Sequence, residues 1–227
     1  MNGPAAAALT EWLAAAGFLC LGGFNASDDI VLPPQTNGTP AQSLLLIGST
    51  GPSVWPKLST SPEAADGGAD PLDRYTRRAL TEIAAAEGLG VVFPFDGPPY
   101  HPFQQWAKRC GGFSQSPMGV LAHHEFGPWA GFRAAFLSGE HLKSEQGTGA
   151  SGPCETCQDK PCINACPAGA LSVETGYDVP KCRDHLSKSR DLDCWSGCLA
   201  RRACPFGGEH RQTPDIARYH MERFAAL

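Results

Sequence analysis

The stretch CETCQDKPCINACP, residues 154–167, and the longer stretch from Cys182 to Pro205 decide how the C-terminal part of this chain folds. The first reads Cys-x2-Cys-x4-Cys-x3-Cys-Pro, and the second reads Cys-x11-Cys-x3-Cys-x5-Cys-Pro. Both therefore end in Cys-Pro after three earlier cysteines. Eight of the ten cysteines lie in these two stretches, and this density predicts a metal-binding domain.

The two stretches resemble those of bacterial ferredoxins that hold two 4Fe–4S clusters. In those proteins three cysteines of one run bind one cluster, and the fourth, before proline, binds the other. Applied to this chain, the rule predicts a first cluster held by Cys154, Cys157, Cys162 and Cys204 and a second held by Cys166, Cys182, Cys194 and Cys198. The spacing departs from the standard run, with two extra residues between Cys157 and Cys162 and a longer second stretch.

A pair of zinc ribbons is the alternative interpretation, because Cys-x2-Cys also suits tetrahedral zinc. We favour clusters, since zinc ribbons use paired Cys-x2-Cys units and do not explain two Cys-Pro endings. The two remaining cysteines, Cys20 and Cys110, are most simply buried small residues or inert thiols.

The chain is long enough for one full-sized domain and a second small one. A polar, Gly-rich segment at 144–153 is typical of a linker, so we predict domains at 1–148 and 149–227. The predicted elements are a helix at 10–17, strands at 43–47, 89–95 and 132–137, a helix from Asp70-Pro71 to Gly88, and a helix opened by Thr213-Pro214-Asp215. This mixture indicates an α+β protein.

The charge distribution makes nucleic acid an unlikely partner. The net charge is −5, and acidic and basic residues balance in 154–227, so neither part offers the cationic face that phosphate binding needs. The apolar stretch 5–21 has no Lys or Arg before it and carries Glu11, so we read it as a core helix and expect no membrane association. A cytoplasmic protein is expected, because dense cysteines there more often bind metal than form disulfides.

Residues 22–26, 43–50 and 70–73, and above all SPMGVLAHHEFGPWAGFR at 116–133, resemble the cobalamin-processing MMACHC (CblC) family. The resemblance implies a nitroreductase- or flavin-reductase-like α+β fold that holds cobalamin base-off and removes its upper ligand reductively. The chain departs from the family pattern at His124, where the family has proline, and at Pro128, where it has glycine.

Epoxyqueuosine reductase and the reductive dehalogenases are similar in joining such a corrinoid domain to a two-cluster ferredoxin domain, in the same order. The expected fold is therefore a nitroreductase-like corrinoid domain followed by a bacterial-ferredoxin-like domain. No Asp-x-His-x-x-Gly run occurs, so we expect no protein ligand on the lower face of cobalt.

The resemblance implies a set of corrinoid contacts: Phe103, Trp106, Ser116, Gly119, His123, Trp129, Phe132 and Arg133. Each has a plainer interpretation. Aromatic residues fill ordinary protein cores equally well, and a histidine such as His123 is more often a hydrogen-bonded core residue than a metal ligand.

These observations predict a corrinoid-binding iron–sulfur oxidoreductase that reduces cobalt or removes the upper axial ligand of cobalamin. Its cofactors would be two 4Fe–4S clusters and cobalamin, with cobalamin as ligand or substrate and a low-potential electron donor as partner. A flavin in the same cavity is left open. The alternatives are a ferredoxin-like electron-transfer partner of another enzyme, and a cobalamin enzyme similar to epoxyqueuosine reductase.

Overall fold

A computed structural model describes residues 4–27, 29–35, 38–142 and 151–226. The helices are α1 (Pro4–Ala15), α2 (Gly51–Leu58), α3 (Pro62–Ala65), α4 (Pro71–Ala86), α5 (Phe103–Cys110), α6 (Pro161–Asn164), α7 (Val179–Ser187), α8 (Leu199–Arg202) and α9 (Pro214–Ala226). The strands are β1 (Leu19–Asn25), β2 (Ser43–Ser49), β3 (Gly90–Val92), β4 (Phe113–Gln115), β5 (Leu121–His123), β6 (Gly131–Ser138), β7 (Leu171–Ser172) and β8 (Gly176–Tyr177). Short 3-10 turns occur at Pro153–Glu155, Asp193–Ser196 and Gly208–His210.

The chain divides into two compact units. The first comprises the described parts of 1–49, 53–111 and 131–150, and the second comprises those of 50–52, 112–130 and 151–227. This division differs from a single boundary at 148/149, because the hairpin segment 112–130 groups with the cysteine-rich part. Most of the predicted linker, residues 143–150, lies outside the described residues.

The first unit is built on a four-stranded sheet with the order β1-β2-β6-β3, in which every neighbouring pair is antiparallel. All seven residues of β2 are buried, as expected for the continuous apolar run SLLLI. The predicted strands at 43–47 and 132–137 are confirmed. The strand predicted at 89–95 is shorter, because only residues 90–92 pair with β6.

Helix α4 packs on this sheet and on α1 through an apolar face that includes Leu72, Tyr75 and Leu80. The Tyr75 hydroxyl donates a hydrogen bond of 3.0 Å to the carbonyl of Ala16. Pro71 occupies the first turn as predicted, where its missing N–H costs nothing. Asp70 is the N-cap residue of α4: its backbone is left-handed, its side chain makes no capping hydrogen bond, and its carbonyl accepts from the N–H groups of Asp73 and Arg74.

Helix α1 begins earlier than predicted, and it buries Leu9 and Leu13 as a core helix does. In the part of the chain that the structure describes, no helix combines the length and apolarity needed to cross a membrane.

The hairpin β4–β5 belongs to the second unit. In this hairpin Phe113 pairs with His123, and Gln115 pairs with Leu121. A tight turn joins the strands, with Gly119 at φ +76° and its N–H bonded to the Ser116 carbonyl. The hairpin packs on the turn Pro153–Glu155, and α9 packs on the turn Asp193–Ser196. Leu171 and Ser172, which follow the first cysteine stretch, form β7, and the predicted C-terminal helix is α9.

Strand β2, an inner strand of the sheet, should contribute strongly to the stability of the first unit. Leu46 has no solvent exposure, so Leu46→Ala should lower the free energy of unfolding by about 2–5 kcal/mol through lost burial and a residual cavity. Denaturant unfolding followed by circular dichroism measures this. Val31 is 90% exposed, so Val31→Ala serves as the control, with an expected change within about 0.5 kcal/mol. Equal effects would contradict the assignment of β2 to the core.

Candidate metal centres

Four cysteines of the second unit surround one cavity. Cys154, Cys157, Cys162 and Cys204 line it together, with Ser116, Pro117, Met118, Lys160, Pro161, Pro205 and Phe206 completing the wall. We call these four cysteines the first thiol group. They are the set that the crossing rule assigns to one cluster, although Cys204 lies 42 residues beyond Cys162.

The other four, Cys166, Cys182, Cys194 and Cys198, form the second thiol group. The thiol of Cys194 lies within electrostatic reach of Cys198, Cys182 and Cys166, and that of Cys182 within reach of Cys198 and Cys166. In the first group the neighbours of Cys204 are Cys154, Cys162 and Cys157. The thiols thus segregate into two sets of four.

Two short helices divide their cysteines between the groups. Cys162 lies within α6, and Cys166 lies two residues after the end of α6. The two cysteines therefore project from neighbouring turns. Cys198 precedes α8 and Cys204 follows it. The two helices contact each other, and Ile163 and Ala200 pack in an apolar cluster with Met118 and Leu171. Each helix therefore supplies one thiol to each group.

Lys160 and the hairpin β4–β5 hold the backbone of the first thiol group through hydrogen bonds. Lys160 has a left-handed backbone before α6, and its Nζ donates 3.0 Å hydrogen bonds to the carbonyls of Cys154 and Cys157. Ser114 Oγ accepts from the Cys154 N–H at 2.9 Å. A Cβ on Gly152 would approach Ser114 N and Oγ more closely than 3.0 Å, so glycine is required for the chain to pass this strand.

The second group has polar side chains beside it. The Tyr177 hydroxyl lies within electrostatic reach of the Cys182, Cys198 and Cys166 thiols, and His185 Nε2 lies 3.9 Å from Cys194 Sγ. Burial, together with the neighbouring Cys182 thiol, raises the pKa of Tyr177, so this hydroxyl keeps its proton at neutral pH.

Burial governs the protonation of the clustered thiols. It raises the pKa of Cys154, Cys162, Cys182, Cys194 and Cys204, and neighbouring thiols raise it further. Metal ligation requires thiolates, and a bound cation removes this cost. Two sets of four buried or partly buried thiols are thus a donor set that fits two 4Fe–4S clusters. Among the described residues, no three His, Cys, Asp or Glu side chains converge on a point suited to a single ion.

The other two cysteines lie in the first unit. Burial and the nearby Cys20 thiol raise the pKa of Cys110 to about 12, and burial also raises that of Cys20. Both are protonated thiols at neutral pH, in agreement with the sequence interpretation.

The positions expected to contact a corrinoid divide between the two units. In the first unit, Phe103 and Trp106 are 5% and 2% exposed, with ring centroids 5.0 Å apart. Phe132 is half-buried and stacks on Phe103 at 6.4 Å. Arg133 Nε donates to Ser49 Oγ at 2.8 Å. Phe103 and Trp106 are therefore core residues of this unit.

The remaining four belong to the second unit. Ser116 lines the cavity of the first thiol group and is buried, whereas Gly119 is exposed in the hairpin turn. Trp129 is buried beneath the Arg201 guanidinium, which lies 4.7 Å from its ring centroid and donates to the Pro128 carbonyl. Here Trp129 packs against α8.

His123 has the environment of a hydrogen-bonded core histidine. Its Nδ1 accepts from the N–H groups of Glu125 and Phe126 at 3.2 and 3.3 Å, and its ring stacks on Phe126. Burial, with a smaller contribution from His124, lowers its pKa to about 4, so the ring is neutral at physiological pH.

Sequence reasoning missed Ser114, Lys160, Tyr177 and Arg201. No spacing in the sequence marks Ser114, Lys160 or Arg201, because each acts through a contact that exists only in the folded chain. The signal that could have found Tyr177 is its position five residues before Cys182, at the entrance to a capped helix.

The solved structure of a C. elegans B12-trafficking protein CblC, a human MMACHC homologue, superposes on this chain with a TM-score of 0.52. The superposition covers 97% of this chain and 94% of that chain, at 12% sequence identity. This chain has a CblC-like fold. Epoxyqueuosine reductase, solved with a modified tRNA-Tyr stem loop, gives a TM-score of 0.50 over 93% of this chain and 70% of that chain, at 15% identity.

By sequence, the chain is similar to the electron transport protein HydN of Escherichia coli K12, with 30% identity over 103 residues. The match covers 44% of this chain and 54% of HydN, so the chain spans about half the length of the curated relatives it matches. No family model matches. The expected likeness to CblC and epoxyqueuosine reductase is confirmed for the fold, and HydN is a partial match to an electron-transport protein.

The close passage at Gly152 yields a test. Gly152→Ala should force β4 and the turn at 153–155 apart and lower the free energy of unfolding by about 1–3 kcal/mol, because the added Cβ overpacks the site. Thermal unfolding measures the change. Gly208→Ala is the matched control, since a Cβ there meets nothing within 4 Å. Identical thermal unfolding midpoints for the two variants would show that the close approach of Gly152 to β4 does not require glycine.

Proposed function

We propose that this chain is an iron–sulfur oxidoreductase that holds one 4Fe–4S cluster in each thiol group. The observation that carries the proposal is the segregation of eight cysteines into two sets of four, each containing residues distant in sequence. The partial match to an electron transport protein supports the same function.

A 4Fe–4S cluster supplies one-electron transfer at low potential when it is bound. The chain's own residues would hold it and set its surroundings. In the first group, the Lys160 ammonium offsets part of the thiolate charge near Cys154. Between the groups, Ile163, Leu171 and Ala200 provide an apolar layer that excludes water.

We further propose that a corrinoid is the ligand or substrate of this oxidoreductase, with reduction of cobalt or removal of its upper ligand as the reaction. The CblC-like fold over nearly the whole chain supports this. The side chains expected to contact it fit only in part. Four of them are buried in the cores of their units: Phe103, Trp106, His123 and Trp129. Three others are exposed or half-buried: Gly119, Phe132 and Arg133. We therefore derive no chemical step through the corrinoid.

Metal analysis of paired substitutions tests both the clusters and their pairing. Protein purified without oxygen should carry about eight iron and eight sulfide. The within-group double variant Cys162→Ser/Cys204→Ser should lose one cluster and keep about half of the iron. The cross-group variant Cys162→Ser/Cys166→Ser should lose both clusters, because each group then lacks a ligand.

The control for these variants is Cys20→Ser/Cys110→Ser, which should keep the full iron content. Zinc in place of iron and sulfide would overturn the cluster proposal in favour of zinc ribbons. Loss of one cluster from the cross-group variant, and of both from the within-group variant, would overturn the pairing.

Corrinoid binding is tested by anaerobic titration of the cluster-loaded protein with cob(II)alamin. We expect a saturable change from the base-on to the base-off absorbance spectrum near one equivalent, because the proposed site holds cobalamin without its lower base. Phe132→Ala, which removes a half-buried ring, should weaken binding, with Tyr100→Ala as a control because that ring is 65% exposed.

No spectral change in a sample with intact clusters would leave an electron-transfer partner of another enzyme as the function. Reduction of epoxyqueuosine in tRNA is the remaining alternative, suggested by the second structural likeness. The acidic net charge disfavours it, and an assay on modified tRNA decides it.

A further inference from the structure

A small cavity of the second unit lies beside the second thiol group. Its volume is about 30 Å³, which is room for about two or three water-sized groups. Helices α8 and α9 supply much of its wall. Of the four cysteines of the second thiol group, only Cys198 lies in this wall. The cavity is therefore not the space that the four thiols enclose.

The polar groups of this wall include two cations and no carboxylate. Arg201 and Arg202 place two guanidinium groups there. The side chains of Ser196, Gln212 and His220 add a hydroxyl, an amide and an imidazole. Among the residues that the structure describes, no Asp or Glu lines the cavity. The wall is therefore suited to an anion, because guanidinium groups bind oxyanions through charge-assisted hydrogen bonds.

Trp129 is a buried hydrogen-bond donor in the same wall. The residue is 3% exposed, and its Nε1–H has no acceptor within the described part of the chain. A buried N–H without an acceptor is unfavourable, so this group calls for a partner. The Arg201 guanidinium lies 4.7 Å from the ring centroid of Trp129 and donates to the Pro128 carbonyl. These contacts fix the indole and the guanidinium against each other.

Arg202 supplies a positive charge that no carboxylate neutralises. None of the ion pairs between described residues involves Arg202. Its carbonyl accepts a 2.9 Å hydrogen bond from the Arg211 guanidinium, which holds its backbone. Its side chain runs close to Gly197, where an added Cβ would be 3.3 Å from Arg202 Cδ. The charge of Arg202 is thus available to a ligand in the cavity.

We propose that this cavity binds a tetrahedral oxyanion, either free phosphate or the terminal phosphoryl group of a larger metabolite. Arg201 and Arg202 balance the negative charge, and Trp129 Nε1 donates a hydrogen bond to one oxygen of the anion. Water would also satisfy the indole N–H, but it would not balance the charge of Arg202. The inference goes beyond the proposed function and does not depend on it, because it requires no cluster.

The test is isothermal titration calorimetry of inorganic phosphate into the full chain, purified without oxygen. Ionic strength is held constant, because salt screens the charge of an exposed guanidinium. We expect saturable binding near one equivalent. Trp129→Phe keeps a ring beneath Arg201 and removes the N–H, whereas Arg202→Gln removes a charge. Each should weaken binding by about tenfold or more, because each removes a hydrogen bond to a charged ligand.

Two substitutions outside the cavity wall serve as controls. Arg218→Gln removes the charge of an exposed arginine on α9. Trp12→Phe removes the indole N–H of a residue that is 43% exposed on α1. Both variants should bind phosphate as the unsubstituted chain does. Because Arg202 is exposed, Arg202→Gln keeps the test decisive should Trp129→Phe unfold the second unit.

Two results would overturn the inference. One is the absence of saturable binding at millimolar phosphate in a sample that unfolds cooperatively, which would leave the cavity to water. The other is equal weakening by Arg202→Gln and Arg218→Gln, because general surface charge would then explain the affinity. Neither result bears on the clusters, since iron and sulfide are measured separately.

Competition with glycerol 3-phosphate distinguishes the two sources of the anion. An ester that displaces phosphate from the unsubstituted chain, and binds more weakly to Arg202→Gln, would identify the terminal phosphoryl group of a larger metabolite as the ligand. An ester that leaves phosphate bound would identify free phosphate.

Discussion

The contact between the short helices α6 and α8 is the constraint on which the second unit depends. Each helix has one thiol of each group at or near its ends, so neither group can form until the two helices meet. The contact is apolar, through Ile163 and Ala200, and it leaves the thiols at its margins. Burying thiolates is unfavourable, and a bound cation removes this cost. If the proposed clusters bind, the packing of these helices and metal binding are therefore coupled in folding.

The hairpin segment 112–130 is built around the same constraint. Its backbone passes close to the two ends of the first thiol group, at Gly152 before Cys154 and at Gly207 after Cys204. A Cβ on either glycine would meet the hairpin's backbone at less than van der Waals distance. Arg201 of α8 adds a hydrogen bond to the Pro128 carbonyl. The segment with the strongest family resemblance therefore packs around the first thiol group.

This arrangement assigns separate chemical tasks to separate residues. The cysteines would supply the ligands of the proposed clusters, Lys160 donates hydrogen bonds to the carbonyls of Cys154 and Cys157, and Ser114 accepts one from the Cys154 N–H. The sheet unit contributes an antiparallel scaffold whose central strand, β2, is buried along its whole length. Its aromatic residues Phe103 and Trp106 stabilise that unit from within, so any corrinoid must use the more exposed Phe132 and Arg133.

Sequence alone determined the number of thiols and the main elements of the sheet, and it predicted the division of the thiols into two sets of four. Those features follow from local patterns: cysteine spacing before proline, a continuous apolar run at 43–47, and Asp70-Pro71 at a helix start. Only the tertiary structure decided that 112–130 belongs with the cysteines, that His123 and Trp129 are core residues, and that Tyr177 packs against the apolar cluster containing Met118, Leu171 and Ala200. Most of these outcomes depend on contacts between residues far apart in the chain, such as Ser114 with Cys154 and Pro128 with Arg201. The position of the Tyr177 ring likewise depends on Phe224 and Gly119, two neighbours that the local sequence does not reveal.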